Sequence, residues 1–183
     1  MTVSAHDIAA ELRNRLPGLP VKKLHKLLYY CQGHHLATFD RPLFGERIDA
    51  WDMGPVVASL WRDENYGEPT PPARELSEAE LNTIGYVLSR YGKLTGTDLE
   101  HLTHGETPWQ LADSNRAPKG SAAIRQEWIR DYFRTAGAPG DGEEEPVLDS
   151  EQVRQWLADA LSRPRPSQPD DLESLKARAV AGV

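Results

Sequence analysis

Residues 20–66 read PVKKLHKLLYYCQGHHLATFDRPLFGERIDAWDMGPVVASLWRDENY, and this stretch decides the fold. Its first part predicts a helix that begins at about Pro20, because proline suits a first helical turn. The helix should end near Phe39–Asp40, since the Arg41-Pro42 pair resists helical backbone. Residues at helical spacing form its apolar face: Leu24, Leu27, Leu28, Cys31 and His35.

The second part of the stretch changes pattern. Leu43–Trp51 is short, alternates polar and apolar residues and contains glycine, so we expect a small β-hairpin or an irregular extended segment. The sequence MGPV at 53–56 predicts a sharp entry into another helix with Pro55 at its first position. That helix should end near Gly67.

Outward from this stretch, helix signals dominate. Ser4 with Asp7, and Ser77 with Glu80, have the spacing of N-terminal capping pairs. Further helices are predicted in four places: Ser77–Gly92, Thr95–His104, Pro108–Ala112 and Ser121–Arg134. The fold class is therefore mainly α, a compact multi-helix domain with a small β-hairpin or short extended segment and a helical C-terminal extension.

The chain divides by composition after residue 136. Residues 1–136 carry 16 Lys and Arg against 18 Asp and Glu, whereas residues 137–183 carry 5 against 10. We expect a domain over 1–136, an acidic flexible linker over 137–146 and an amphipathic helical extension over 147–183. Trp156 lies at the centre of the extension's apolar face, so a groove on a partner or on its own domain would suit it.

Composition argues against several classes of protein. No run approaches the roughly 18 apolar residues that a membrane span needs, and no signal peptide is visible, so we expect a cytoplasmic protein without membrane contact. The single cysteine, Cys31, gives no internal disulfide and fits a reducing compartment. A near-neutral main domain makes nucleic acid a poor candidate ligand, because binding to phosphate needs clustered positive charge.

Catalytic and metal sites have little support in the sequence. The motifs for phosphate loops, dinucleotide folds, nucleophile elbows and zinc proteases are absent. Cys31 with His34 or His35 could place a thiolate near an imidazole, and Cys31 and His35 with His101 and His104 could in principle hold zinc. The more ordinary interpretation is a buried cysteine and helix-end histidines, so we expect no catalytic residue, no metal and no cofactor.

Candidate partner-binding residues fall into three groups. Lys22, Lys23 and Lys26 occupy the side of the first long helix opposite its apolar face, where they could meet an acidic surface. Tyr30, Trp51 and Met53 belong to residue types that are enriched at the centres of interfaces. Tyr29 and Tyr30 are adjacent, so we expect at least one hydroxyl to reach a polar rim or solvent. Trp156 is the candidate in the extension.

The stretch resembles a known family, the Panacea domain, also called the SocA-like or DUF4065 domain. The family pattern is a K-L-x-K-L-L-Y helix, a P-L-F segment, an apolar-aromatic strand and a G-P-V turn into a helix that ends near Y-G. This chain supplies all four in order: KLHKLLY at 23–29, PLF at 42–44, Trp51 for the strand and GPV at 54–56, with Leu60 in the following helix and Tyr66-Gly67 at its end. Weaker similarity extends through Thr107-Pro108-Trp109 to about Phe133.

The resemblance implies an antitoxin domain of bacterial or phage toxin–antitoxin pairs, which neutralises a toxin by binding it directly. One branch of the family acts instead as an adaptor that delivers its toxin to a protease, and toxin types vary, including enzymes that pyrophosphorylate tRNA. The leading hypothesis is therefore an antitoxin with a cognate protein toxin encoded beside it. A proteolytic adaptor is the alternative, and an enzyme centred on Cys31 and His35 is the third.

Overall fold

Helices make up most of the described structure, a computed structural model that describes residues 3–69 and 72–136. The described residues belong to one unit, Met1–Gly137. Their elements are, in order, α1 Ala5–Arg15, α2 Val21–Phe39, β1 Ile48–Trp51, β2 Gly54–Val57, α3 Ala58–Tyr66, α4 Glu78–Tyr91, α5 Gly96–His104, α6 Thr107–Ser114, β3 Ala122–Ala123 and α7 Gln126–Ala136. The mainly α fold with a small antiparallel sheet is confirmed. The linker and extension predicted for 137–183 lie outside the described residues.

Helix α2 is the centre of the fold. It packs against α1, α4, α5, α7 and β2, so most of its circumference is covered by other elements. Its buried residues include polar ones as well as the apolar stripe, namely His25, Lys26, Gln32 and His35. The apolar face predicted from the sequence is buried, and the middle of the helix is buried on its other sides as well, where polar side chains hydrogen-bond inside the core.

Short-range capping fixes several helix starts as predicted. The carboxylate of Asp7 accepts from the backbone N–H of Ser4 at 2.8 Å, and this residue pair forms a capping box at α1. The carboxylate of Glu80 likewise accepts from the Ser77 N–H at 2.6 Å. These interactions satisfy amides that a helix leaves without an internal partner. Among the residues that the structure describes, no helix is long and apolar enough to cross a bilayer.

The sheet corrects one prediction. Pro55 does not begin a helix: Gly54–Val57 form strand β2, which pairs antiparallel with β1, and α3 starts only at Ala58. The strand order β2-β1-β3 places β2 at an edge. A proline is tolerated there because an edge strand has one side on which no ladder donor is needed.

The start of the last helix is also corrected. Residues 122–123 form strand β3 on the other side of β1, and the Ile124 N–H donates to the Ile48 carbonyl at 2.9 Å. Helix α7 therefore begins at Gln126 and not at Ser121. A two-residue strand gives almost no periodic signal, so the sequence pattern assigned these residues to the neighbouring helix.

Helices α2 and α7 pack at very short range because Gly33 lacks a side chain. A Cβ atom placed on Gly33 would lie 2.4 Å from the ring of Phe133, which no real contact allows. Gly85, in the middle of α4, offers a contrast, since a Cβ there would meet only an arginine tip at 3.7 Å. Close packing of these two helices thus depends on one glycine.

This contrast gives a matched test of the packing. Gly85→Ala should stabilise the protein by up to about 1 kcal/mol, because alanine favours helix more than glycine does. Gly33→Ala should instead destabilise it by about 1–3 kcal/mol, because Phe133 must move in a close-packed core. Urea unfolding of the two variants checks this. Equal changes in the free energy of unfolding would contradict the packing described here.

Candidate partner-binding surface

Lys26 lies in the core of the domain. Its side chain is buried, with 1% of the residue exposed, and Nζ donates to the Pro55 carbonyl at 3.1 Å. Gly54 leaves room for it: its φ is +96°, and a Cβ there would come within 2.7 Å of Lys26 Cε and 2.9 Å of Thr103 Oγ1. The lysine of the K-L-x-K motif and the glycine and proline of the G-P-V motif are therefore one packing unit.

Burial sets the charge of this lysine. Burial lowers the pKa of Lys26, nearby Glu100 opposes the shift, and Lys22 adds to it, with the result that the pKa is about 7. An ammonium ion in a core without a carboxylate in contact is costly. Lys26 is thus a structural residue, and the prediction that it meets a partner is not supported by its position.

Tyr29 and Tyr30 both point inward and share one acceptor. Each hydroxyl donates to a different oxygen of Glu106 at 2.8 Å, and Tyr30 stacks on Tyr91 with ring centroids 4.0 Å apart. The expectation that one of these hydroxyls reaches a polar rim or solvent is wrong, because Glu106 provides a buried partner for both. Tyr30, a candidate for partner contact, is in the core with 1% of its surface exposed.

Glu106 is itself a buried acid at the start of α6. Burial raises its pKa to about 7, and the two tyrosine hydrogen bonds act in the opposite direction. Burial next to this carboxylate also raises the pKa of both tyrosines, which therefore stay protonated as donors. The cluster fixes α6 to α2, and α6 carries Trp109.

Gln32 explains the P-L-F motif. Its side-chain carbonyl accepts from the N–H groups of Leu43 and Phe44 at 2.8 and 3.2 Å, and its amide donates to the Phe44 carbonyl at 3.0 Å. One glutamine side chain thus satisfies three backbone groups of a buried segment that has no regular secondary structure. Lys26 thus joins α2 to strand β2, and Gln32 joins α2 to the segment that contains Leu43 and Phe44.

Lys22 and Lys23 are half-buried and contact their own domain. Lys22 forms an ion pair with Glu100, and Lys23 Nζ donates to the Gly92 carbonyl at 2.6 Å. Both contacts connect the start of α2 to α5 and to the turn before it. Part of the basic edge predicted from the sequence is thus neutralised inside the domain, and its contact with a partner stays a prediction.

Four partly exposed side chains form the tryptophan surface, defined here as Trp51, Met53, Trp61 and Trp109. The Trp51 and Trp61 rings meet edge to face with centroids 5.3 Å apart. The Trp109 indole N–H donates to the Trp51 carbonyl at 3.2 Å, and its ring stacks on His104 at 4.1 Å. Met53 lies in the turn between β1 and β2. Residues of β1, α3 and α6 therefore meet at one surface, although α6 is distant from the other two in sequence.

Hydrogen bonds hold these rings in place. The Trp51 indole N–H donates to Ser121 Oγ at 3.0 Å, so both Trp51 and Trp109 use their polar group within the domain. Rigid, amphipathic aromatic side chains lose little conformational entropy when they bind, which makes them effective anchors at interfaces. Trp51 and Met53 were candidates from the sequence. Trp109 was missed as a member, because its proximity to Trp51 depends on the Glu106 cluster.

A groove lies between α2, α4 and α7. It has a volume of about 360 Å³ and is lined in part by His34, Phe39, Tyr86 and Phe133. Phe39 and Tyr86 are 39% and 43% exposed, so this groove also offers aromatic surface. His34 at its wall is neutral near physiological pH, since burial lowers its pKa to about 4. Because the groove also exposes aromatic rings, it is the alternative place on the described domain where a partner could bind.

The surroundings of Cys31 and His35 do not favour a nucleophile or a zinc site. Cys31 is fully buried and burial raises the pKa of its thiol, which opposes formation of a thiolate. His35 Nδ1 is hydrogen-bonded to Thr83 Oγ1 at 2.9 Å. Within residues 3–69 and 72–136, no group of three or more His, Cys, Asp or Glu side chains could hold a metal ion. Trp156 lies outside the described residues.

Comparison with protein families gives one match, over the elements that build the tryptophan surface. Residues 24–110 match the model of the SocA-like antitoxin family, the Panacea domain. The resemblance carried by the sequence motifs is confirmed over these residues. Searches of curated proteins and of solved structures gave no match.

The matched Panacea segment runs from Leu24, in the first turn of α2, into α6. It includes the whole tryptophan surface and the buried Lys26 and Glu106, while α1 and α7 lie outside it. The similarity predicted as far as about Phe133 lies beyond the matched residues. The Panacea motifs thus coincide with the scaffold of the domain, and the aromatic surface is built on that scaffold.

The buried Glu106 predicts a specific pH dependence of stability. Because its folded pKa of about 7 exceeds the ordinary 4.5, the folded protein retains a proton that the unfolded chain releases. The stability gained is complete below pH 4.5 and is lost as pH rises through about 7. Glu106→Gln should remove this loss of up to about 3 kcal/mol.

Urea unfolding of the wild type and of Glu106→Gln between about pH 4.5 and pH 7 measures the effect. Burial lowers the pKa of His25 to about 3 and of His34 to about 4, and both act in the opposite direction below pH 6.5. They are present in both proteins, so the difference between the two profiles isolates Glu106. Glu127→Gln, on the exposed side of α7, is the control. Parallel profiles for wild type and Glu106→Gln would contradict the assignment.

Proposed function

We propose that this protein is the antitoxin of a toxin–antitoxin pair and that it neutralises a cognate protein toxin by binding it directly in the cytoplasm. The observation that carries the proposal is the match of residues 24–110 to the SocA-like antitoxin family. Cys31 is buried, and burial raises the pKa of its thiol, so it is poorly suited to act as a nucleophile. This favours a binding role over an enzyme. We expect the toxin to be encoded next to this protein.

The tryptophan surface is the contact that the geometry supports best. It combines three indoles and a methionine, residue types that carry much of the energy at interfaces, and the rings of Trp51 and Trp109 are held by hydrogen bonds before any partner arrives. The linker over 137–146 and the extension with Trp156 are proposed as additional contacts. They bring five of the chain's seven net negative charges, which would favour a basic partner.

Co-expression with the product of the adjoining gene tests the function. The toxin alone should stop growth, and toxin with this protein should permit growth and co-purify as a complex. Toxicity that persists despite a stable complex would show that binding does not neutralise. If growth returns because the toxin disappears, and the toxin reappears when host proteases are removed, the proteolytic adaptor is the better description.

A matched pair of variants tests the surface. Trp61→Ala removes an indole whose ring contacts only Trp51 among the described aromatic pairs, and it should weaken toxin binding about thirtyfold or more, as expected for the loss of a central anchor. Tyr86→Ala removes an exposed ring from the groove and should leave binding within about twofold. Titration calorimetry with purified toxin measures both. The opposite result would move the contact to the groove.

A further inference from the structure

The tryptophan surface is bordered by two carboxylates that share one buried cation. Arg116 Nη1 donates to Asp52 Oδ1 at 2.6 Å, and its Nε and Nη2 donate to Asp113 Oδ1 at 2.9 and 2.5 Å. The arginine side chain is 9% exposed, whereas those of Asp52 and Asp113 are 49% and 35% exposed. The arrangement leaves one net negative charge facing outward.

Each carboxylate keeps an oxygen for another donor. In the part of the chain that the structure describes, no group hydrogen-bonds to Oδ2 of Asp52 or of Asp113. A carboxylate oxygen accepts strongly from a charged donor, and two carboxylates held by one guanidinium are already oriented. The described residues thus form an acceptor pair that is positioned but not saturated.

The indoles lie beside these acceptors. Asp52 follows Trp51 directly, and Asp113 lies four residues after Trp109 on α6, which puts both on the same side of that helix. Because the N–H groups of Trp51 and Trp109 donate inward, neither ring has a polar group left for a partner. The two indoles can therefore offer a partner only their aromatic faces, which lie next to the negative charge of Asp52 and Asp113.

The domain shows the same combination of ring and cation elsewhere. The Arg125 guanidinium lies 5.1 Å from the centre of the Trp128 ring. Among the described residues, no arginine or lysine lies over Trp51, Trp61 or Trp109 in this way. A cation over an indole is attracted by the electron-rich face of the ring, most strongly for tryptophan.

We propose that the tryptophan surface receives a basic segment of the partner, with an arginine or lysine side chain against the indoles and paired with Asp52 and Asp113. This rests on the proposed function in one respect, that the partner is the toxin. An acidic segment would meet two carboxylates at the rim and would be disfavoured. A purely apolar segment would cover the rings but would offer no second donor to the two carboxylates, which are paired only with Arg116 among the described residues.

A peptide titration tests the proposal without the toxin. The full chain, labelled with ¹⁵N at its tryptophans, is titrated with a short polyarginine peptide and, separately, with a polyglutamate peptide of equal length. The indole N–H signals of Trp51 and Trp109 should shift with polyarginine alone, and the signal of Trp128 should stay in place. Shifts with polyglutamate, or equal shifts at Trp128, would overturn the proposal.

Charge variants sharpen the test. Asp52→Asn and Asp113→Asn, made separately so that Arg116 keeps one carboxylate, should each weaken polyarginine binding about tenfold, as expected for the loss of a charge-assisted pair. Asp131→Asn removes an exposed carboxylate of α7 and is the matched control for non-specific attraction. Equal affinities of all three variants for polyarginine would overturn the proposal, and unchanged thermal midpoints show that the variants fold.

The two proposals fail separately. If polyarginine binds as expected and no toxin is neutralised, the proposed function is wrong and the cation site stands. If the toxin is neutralised equally well by wild type, Asp52→Asn and Asp113→Asn, the function stands and recognition of a basic segment at this surface is wrong.

Discussion

The side-chain amine of Lys26 donates to the Pro55 carbonyl in the core, and together with the hydrogen bond from the Val57 N–H to His25 Nδ1 it joins strand β2 to the central helix. The hairpin in turn places Trp51 and Met53 at the surface. Space for the lysine exists only because residue 54 is glycine, which also adopts the positive φ that the turn requires. Burying this amine is costly, and the hydrogen bond to the Pro55 carbonyl offsets part of that cost.

The sequence predicted the helices well, because their signals are local. Capping pairs such as Ser4 with Asp7 act within one turn, and apolar spacing follows the helical period. The errors have a shared cause in long-range contacts. Pro55 belongs to a strand because β1 lies beside it, and Lys26 and Tyr30 are buried because Pro55 and Glu106 accept their hydrogen bonds. No pattern within α2 reveals acceptors that lie 29 and 76 residues away.

The candidate surface was predicted in part for the same reason. Trp51 and Met53 are recognisable as interface residue types, but the sequence pattern placed Met53 at the entry to a helix, whereas it lies in the turn between β1 and β2. Trp109 and the Asp52–Arg116–Asp113 group join them only after α6 has packed against β1, and Glu106 at the start of α6 is held there by the two tyrosines of α2. The chemistry of the surface therefore could not be derived before the fold was known, although each of its residues is visible in the sequence.

A scaffold that contains the family motifs leaves the surface free to vary. Lys26, Gln32 and the two tyrosines make their contacts inside the domain, so replacing a surface residue such as Asp52 or Trp61 leaves those hydrogen bonds in place. Charge and aromatic content at the hairpin tip and on α6 can then change without loss of the fold, since surface substitutions cost little stability. The motifs that identify the domain lie in this scaffold and do not reveal which partner it binds.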